Sequence, residues 1–193
     1  MLSNLKKYDI ILASKSPRRK ELLSGLGIDF RIFCIDGIEE SFPATLHAKD
    51  IPEYIAKEKA SAYSSILKPE TMVITADTVV ICNDAILGKP YGYDEAERML
   101  HKLSGKAHQV TTGVAISTLS RSTSFSVTTD VRFAKLSNEE INYYIEHYKP
   151  FDKAGAYGIQ EWIGFIAVES INGSYFNVMG LPIQRLYQEL KKW

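Results

Sequence analysis

Six charged residues in this sequence have types and neighbours that suit the chemistry of a polyphosphate. They are the cations Arg18, Arg19, Lys59 and Lys89 and the carboxylates Glu40 and Asp77. Cations neutralise phosphate oxygens, and carboxylates hold the divalent metal ion that often accompanies phosphates. Each of these residues can also have a purely structural role. The helices, strands and loops that carry them are therefore needed to choose between a structural role and phosphate binding.

The two arginines follow a polar link between a predicted strand and a predicted helix. In Ser14-Lys15-Ser16, the last residue suits the N-cap, and Pro17 suits the first helical position. Unpaired N–H groups at a helix start bind anions. Arg18 and Arg19 in the first turn oppose the helix dipole, which an anion bound from outside would offset. The alternative is a pair of solvated arginines on a surface helix.

Lys59 and Asp77 both interrupt apolar patterns. Lys59 lies on the inward stripe of its predicted helix, four residues after Ile55, and Asp77 lies inside the β-branched segment 72–82. Buried charges need a partner or a ligand. The functional interpretation aims both at a site, where Thr78 adds a hydroxyl. In the alternative, Lys59 extends its ammonium to the helix edge and Asp77 bonds backbone N–H groups at a strand bend.

Three further segments have a weaker chemical signal. They are Gly88-Lys89-Pro90, the loop 151–160 with its two glycines, and Glu39-Glu40, which has the oxygen ligands that a divalent cation prefers. An ordinary loop or a solvated surface is the alternative for each. The sequence contains neither GxxxxGK[ST] nor GxGxxG, so it has neither a Walker loop nor a Rossmann fingerprint.

Hydrophobic periodicity predicts a chain of mixed strands and helices. Strands are predicted at 9–13, 30–35, 72–82, 108–118, 123–135, 163–171 and 175–178. Helices are predicted at 17–26, 51–67, 94–104, 137–148 and from about 182. Such mixing indicates an α/β or α+β fold around one sheet.

Length and charge exclude several classes of protein. The chain has 193 residues, enough for one domain, and its 23 basic and 23 acidic side chains give zero net charge. Zero net charge argues against general capture of nucleic acid or of an anionic membrane. Cys34 and Cys82 have no CxxC spacing, and no apolar run approaches the ~18 residues of a membrane span. We therefore expect a cytoplasmic protein in which residues 1–193 form a single domain of two lobes.

Ordered motifs cover nearly the whole chain. They are ASKSPRR at 13–19, GIEE at 37–40, AKEKA at 56–60, ADTVV at 76–80, GKP at 88–90, KLSG at 102–105, DKAGAYGIQ at 152–160, INGSY at 171–175 and GLP at 180–182. In this order they resemble the Maf family of nucleoside triphosphate pyrophosphatases, also called septum formation inhibitors. The resemblance implies an inosine-triphosphatase-like α/β fold, with two lobes around a central mixed sheet and a substrate groove.

The resemblance also implies an activity, a cofactor and an assembly. A nucleoside triphosphate is hydrolysed to the monophosphate and pyrophosphate with the help of Mg²⁺ or Mn²⁺, and a homodimer is a family-level expectation. Arg18, Thr78 and Gln160 look like the specificity residues of the branch that acts on dTTP and UTP, rather than the branch that favours 7-methyl-GTP.

The family's site residues carry over to matching positions in this sequence. Asp77 takes the catalytic place, as a proton acceptor or a metal ligand, and Glu40 is the second candidate metal ligand. The expected phosphate ligands are Ser14, Arg18, Arg19, Lys59 and Lys89. Two other classes remain open: a non-catalytic nucleotide-binding regulator of septation, and a nucleic-acid-binding protein that uses the basic residues around Arg18. A pure binder has no need of Asp77, and zero net charge disfavours the second class.

Overall fold

The computed structural model describes residues 2–193. Its strands are β1 (Asp9–Leu12), β2 (Arg31–Ile32), β3 (Thr71–Cys82), β4 (Ala85–Leu87), β5 (Ala107–Ser117), β6 (Ser122–Phe133) and β7 (Val168–Asn172). Its helices are α1 (Pro17–Ser24), α2 (Ile51–Ser61), α3 (Tyr93–Leu103), α4 (Asn138–Tyr148), α5 (Trp162–Ala167), α6 (Tyr175–Val178) and α7 (Ile183–Leu190). Among the described residues, no helix is both long and apolar enough to cross a membrane.

The strands form one mixed sheet, which confirms the predicted fold class. The order is β2-β1-β3-β5-β6-β7, and β4 pairs with the end of β3. β1 is parallel to β2 and to β3, whereas β4 is antiparallel to β3 and β7 is antiparallel to β6. Asn83 and Asp84 both have positive φ between β3 and β4, which is the backbone of a tight two-residue hairpin turn.

The described chain divides into two compact units. The first contains residues up to Asp77, residues 112–127 and residues from Gly180 onward. The second contains residues 78–111 and 128–179. The chain passes from the first unit to the second within β3, between Asp77 and Thr78.

The first unit has an apolar cluster that holds one polar atom in a defined place. Ile11, Tyr63 and Val73 are fully buried together. The Tyr63 hydroxyl donates to the carbonyl of Phe33 and accepts from the N–H of Ile35, at 3.0 Å each. A single buried hydroxyl therefore holds the chain that follows β2.

This contact explains two corrections to the sequence prediction. The predicted strand 30–35 is a strand only at Arg31–Ile32. Beyond it the N–H of Phe33 still bonds the carbonyl of Leu12, but the carbonyl of Phe33 and the N–H of Ile35 bond the Tyr63 hydroxyl. The predicted helix 51–67 ends at Ser61, and a short 3-10 turn follows at Ser64–Ile66. The Tyr63 side chain packs into the core from this irregular stretch.

The segment after Gln160 contains the other error. Residues 163–171 were predicted as one strand, but α5 occupies the first part and only Val168–Asn172 is a strand. Residues 175–178 form α6, whose N-cap Ser174 accepts from the N–H of Asn177. Short apolar and aromatic runs do not distinguish a strand from a buried helical turn, and here tertiary packing selects the helix.

A buried histidine lies in the second unit. His108 Nε2 is 2.8 Å from the Tyr157 hydroxyl, and the ring meets Phe133 and Tyr157 edge to face. Burial lowers the pKa of His108 to about 4. The folded protein therefore keeps this imidazole neutral over a pH range in which an unfolded chain protonates it.

We expect His108 to make stability depend on pH below neutrality. Its contribution is complete above pH 6.5 and declines as pH falls toward 4, because only the unfolded chain binds the proton there. Between pH 7 and pH 5 the loss is about 2 kcal/mol. Urea unfolding at pH 7, 6 and 5 should show a smaller loss for His108→Gln than for wild type. The exposed His101→Gln variant should retain the wild-type slope, and equal slopes for all three proteins would contradict the assignment.

Candidate functional site

Lys59 binds two of the carboxylates that the sequence singles out. Its ammonium is 2.8 Å from an oxygen of Asp77 and 2.8 Å from an oxygen of Glu40. The side chains of Lys59 and Asp77 are 14% and 13% exposed, whereas Glu40 is half exposed. Within β3, Asp77 and Thr78 are the two partly exposed residues. Lys59 thus does not extend to the helix edge, and Asp77 does not cap a strand bend; the two side chains form an ion pair with each other.

Small residues let α2 approach the sheet closely enough for this contact. Ala56 and Ala60 on α2 pack against Ala115 on β5. A Cβ at Gly113 would lie 2.2 Å from backbone atoms of Pro52 and Glu53, so no larger residue fits there. The Thr75 hydroxyl donates to the carbonyl of Ala56 at 2.6 Å. These contacts fix the helix turn that precedes Lys59.

Arg19 hydrogen-bonds β3 just beyond the point where β1 stops pairing with it. β1 ends its ladder where the N–H of Ala13 bonds the carbonyl of Ile74. On the same side of β3, the carbonyl of Ala76 accepts from Arg19 Nη1 at 2.9 Å. Arg19 Nε donates to the carbonyl of Gly180 at 2.8 Å. The guanidinium therefore holds the backbone one residue before Asp77 and ties it to the C-terminal segment.

Ser14 and the N-terminus of α1 complete this part of the site. Ser16 caps the helix by accepting from the N–H of Arg19, as the sequence predicts. Ser14 is buried, and its hydroxyl accepts from the N–H of Ser16 at 3.2 Å and from Arg19 Nη1 at 3.4 Å. Arg18 follows in the first turn, where no acidic residue is present. Hence Ser14 and Arg19 are adjacent, and both lie next to the backbone that carries Asp77.

The electrostatics of Arg19 reflect the same neighbours. Burial lowers the pKa of the guanidinium, while the charges of Asp77 and Glu40 raise it and that of Arg18 lowers it. Arginine stays charged in proteins. The first unit therefore holds Arg19 and Lys59 as buried or half-buried cations that act on the same two carboxylates.

In the second unit, Gly88-Lys89-Pro90 meets the loop that carries Gln160. The N–H of Gly155 donates to the carbonyl of Gly88 at 3.0 Å. Gly155 has φ +68, and a Cβ there would press on Val80 at 2.9 Å. This contact fixes the backbone before Lys89, whose side chain is exposed. Two motifs that are far apart in the sequence are thus adjacent.

Gln160 ends this loop, and its carboxamide oxygen is buried without a hydrogen-bond partner among residues 2–193. Beside it, Glu161 accepts from the Tyr144 hydroxyl and from Lys153 Nζ, the latter at 3.1 Å. Lys153 is only 8% exposed. A buried acceptor without a donor is uncommon and calls for an explanation.

Sequence reasoning missed Tyr63, Tyr144, Lys153 and Glu161 as parts of the site's support. Lys153 stands within a motif that the sequence analysis quoted, but nothing in one sequence shows that it is buried. Tyr144 has the helical spacing of the buried positions Ile141 and Ile145. This spacing predicts that the Tyr144 ring is buried. It does not predict that the hydroxyl bonds Glu161, because that contact depends on the tertiary structure.

Together these features define a class of protein: a mixed-sheet α/β protein with cations and carboxylates gathered where β1 ends beside β3. Residues 9–193 match the sequence profile described as Maf-like protein, and the chain therefore belongs to the Maf family. The dTTP/UTP pyrophosphatase of Phocaeicola vulgatus is 62% identical, and the match covers 100% of both chains. That of Bacteroides fragilis is 57% identical over 100% of both chains.

A solved structure shares the fold at low sequence identity. The chain is similar to a HAM1 protein from Coxiella burnetii, with a TM-score of 0.52 and 17% identity. The match covers 96% of this chain and 100% of that one. It supports the predicted inosine-triphosphatase-like fold and carries no information on substrate.

We expect Arg19→Lys to destabilise the protein, because a lysine cannot reach the carbonyls of Ala76 and Gly180 with one rigid fork. Losing one such charged hydrogen bond costs about 1.5–3 kcal/mol. Urea unfolding at pH 7 should show a decrease of about that size in the free energy of unfolding. Arg98→Lys, an exposed change of the same kind on α3, should have no effect. Equal stability of both variants would show that the two bonds contribute nothing.

Proposed function

We propose that this protein is a nucleoside triphosphate pyrophosphatase that hydrolyses dTTP and UTP to the nucleoside monophosphate and pyrophosphate. The observation that carries the proposal is the contact of one ammonium, that of Lys59, with both Asp77 and Glu40 at 2.8 Å. The similar proteins from P. vulgatus and B. fragilis bear the name of this activity. The match to the Maf family covers residues 9–193, so the similarity extends over almost the whole chain and is not limited to one motif.

The reaction requires a proton acceptor close to the attacking water. The water oxygen forms a bond to the α-phosphorus, the bond between that phosphorus and the bridging oxygen breaks, and pyrophosphate leaves with the electron pair. Asp77 accepts the proton of the water. The ammonium of Lys59, 2.8 Å from an oxygen of Asp77, helps to hold this carboxylate in place. Arg19 binds the carbonyl of the preceding residue, Ala76, and so fixes the backbone that carries this carboxylate.

The cations that the sequence singles out are assigned roles toward the phosphates. Arg18, Arg19 and the N-terminus of α1 offer N–H donors, and Ser14 offers a hydroxyl. Lys59 and Lys89 act as point charges on the polyphosphate. For the base, we assign recognition to Thr78 and Gln160, with Arg18 as the third specificity residue.

A divalent cation fits the donor set in the first unit. The carboxylates of Glu40 and Asp77 converge on one ammonium, so they also converge on a point that another cation can take. Carboxylate oxygens are the ligands of Mg²⁺ and Mn²⁺, and Mg²⁺ is usually held by one or two carboxylates plus substrate phosphates. Among residues 2–193, no group of three or more His, Cys, Asp or Glu side chains is placed to hold a metal ion. When bound, the ion neutralises charge on phosphate oxygens.

The first test is pyrophosphate release with Mg²⁺ or Mn²⁺ from dTTP, UTP, CTP, 7-methyl-GTP, ITP, ATP and GTP. We expect preference for dTTP and UTP. Asp77→Asn should lower kcat by about 10²–10⁴, the usual effect of losing a general base. Asp84→Asn, in the exposed β3–β4 turn, should keep wild-type activity.

Each other outcome has a defined meaning. Preference for 7-methyl-GTP or ITP would keep the reaction and reject the pyrimidine branch. Near-complete activity in Asp77→Asn would reject the assignment of the base. Tight nucleotide binding without turnover would support a regulator instead of an enzyme.

A second test concerns the competition between Lys59 and the metal ion. Without nucleotide, Lys59→Met should bind Mn²⁺ at least about tenfold more tightly than wild type, because the carboxylates lose an internal cation. A charged hydrogen bond contributes about 1.5–3 kcal/mol, and 1.4 kcal/mol is a factor of about ten. Mn²⁺ titration followed by electron paramagnetic resonance measures this directly. Lys57→Met, on the exposed side of α2, should leave the affinity unchanged. Weaker Mn²⁺ binding by the Lys59 variant would place the metal elsewhere.

A further inference from the structure

The carboxamide of Gln160 lies in a place that the neighbouring residues define closely. A Cβ added to Gly158 would be 3.0 Å from Gln160 Nε2, 2.9 Å from Glu161 Cδ and 3.0 Å from Glu161 Oε2. The absence of a side chain at Gly158 therefore leaves room for both groups. Because Nε2 and the carboxylate oxygen are each 3.0 Å from one point, they are at most 6 Å apart. The amide nitrogen of Gln160 thus has a negative charge nearby.

A network of hydrogen bonds fixes that charge. The Tyr144 hydroxyl donates to Glu161 Oε2 and accepts from the N–H of Gly158 at 3.0 Å. Lys153 Nζ is 3.1 Å from Glu161 Oε1 and 2.8 Å from Asp152 Oδ1. Burial, together with the bond to Glu161, raises the pKa of Tyr144 well above its usual value, so the hydroxyl stays a donor.

The network rests on rigid elements. Tyr144 lies on α4, which begins with a capping box between Ser137 and Glu140 and is buried along Ile141 and Ile145. The N–H of Glu161 bonds the carbonyl of Gly158 at 3.0 Å. Gly158 and Glu161 are therefore both tied to helix α4 through the hydroxyl of Tyr144.

The orientation of this carboxamide matters because its NH2 group and its oxygen have nearly the same shape, yet the first donates hydrogen bonds and the second accepts them. Uracil and thymine present a carbonyl acceptor at C4 next to an N3–H donor. Cytosine presents an amino donor at C4 next to an N3 acceptor. A glutamine that rotates by 180° about its last bond exchanges donor and acceptor and satisfies either base. Discrimination between these bases therefore requires that the rotation be prevented.

The charge of Glu161 supplies that restraint. A carboxylate within 6 Å attracts the partly positive amide nitrogen of Gln160, and a rotation would bring the partly negative amide oxygen to the place of this nitrogen. The buried Oε1 has no donor among the described residues, so a base that offers a hydrogen-bond donor to this oxygen can do so only while this orientation is kept. The favoured orientation is thus the one that the structure has.

We infer that Tyr144, Lys153 and Glu161 are positioning residues that hold the Gln160 carboxamide in one orientation and thereby select uracil and thymine over cytosine. The inference rests on the proposed function and adds the origin of its selectivity. Gln160 is the residue that contacts the base, and Glu161 acts through it.

The test compares kcat/KM for UTP and CTP in wild type, Glu161→Gln and Tyr144→Phe. We expect the UTP:CTP ratio to fall about tenfold or more in both variants, with kcat/KM for CTP rising. A rise in kcat/KM for CTP distinguishes a changed orientation of the carboxamide from damage to the fold, because damage would lower kcat/KM for both substrates. Glu146→Gln on the exposed side of α4 and Tyr91→Phe, at a fully exposed tyrosine, are matched controls and should keep the wild-type ratio.

A double-variant cycle decides whether the effect passes through Gln160. In a Gln160→Ala background, Glu161→Gln should change the UTP:CTP ratio less than twofold. A ratio that stays at the wild-type value in the single variants, or a shift that persists without Gln160, would overturn the inference. If Glu161→Gln does not fold, as measured by thermal unfolding, Tyr144→Phe keeps the charge and decides the question alone. Absence of turnover by wild type on every triphosphate is a different result, because it rejects the proposed function itself.

Discussion

The half-buried ion pair between Lys59 and Asp77 is the constraint on which much of the first unit depends. A charge removed from water is tolerated only with a partner close by, and removal of one partner leaves the other uncompensated. The pair therefore requires that α2 and β3 keep a fixed separation. Ala56, Ala60 and Ala115 provide that separation, and Thr75 bonds the helix backbone beside them.

Backbone atoms contribute as much to the site as side chains do. Arg19 is bound to two carbonyls, Tyr63 to a carbonyl and an N–H, and Tyr144 to the N–H of Gly158. In each case a long polar side chain satisfies backbone groups that no strand or helix pairs. The irregular segments that carry functional residues thereby become ordered without regular secondary structure. This explains how a loop can hold a carboxamide in one orientation.

Much of the architecture could be predicted from the sequence, and the errors have a physical pattern. The helices at Pro17, Tyr93 and Asn138 have caps or apolar spacing that are local properties, so their limits agree closely with the prediction. The failures at 163–171 and 175–178 come from short apolar runs whose conformation depends on distant contacts. The breaks in the apolar pattern at Lys59 and Asp77 predicted that these charges need a partner, and the structure has one for each. Their pairing with each other, and the support from Tyr144 and Lys153, depend on the tertiary structure and leave no signal in one sequence.

The contact at Gly113 has a consequence for how this protein can vary. The position carries no functional group, yet the backbone of Pro52 and Glu53 occupies the space that any side chain would need. Helix α2 also carries Lys59, so a single added methyl group would push an entire helix outward together with its ammonium. A residue without a side chain, on the strand next to β3, thus determines where the ammonium of Lys59 lies. A search limited to reactive side chains would overlook this position, although a side chain there would displace one of them.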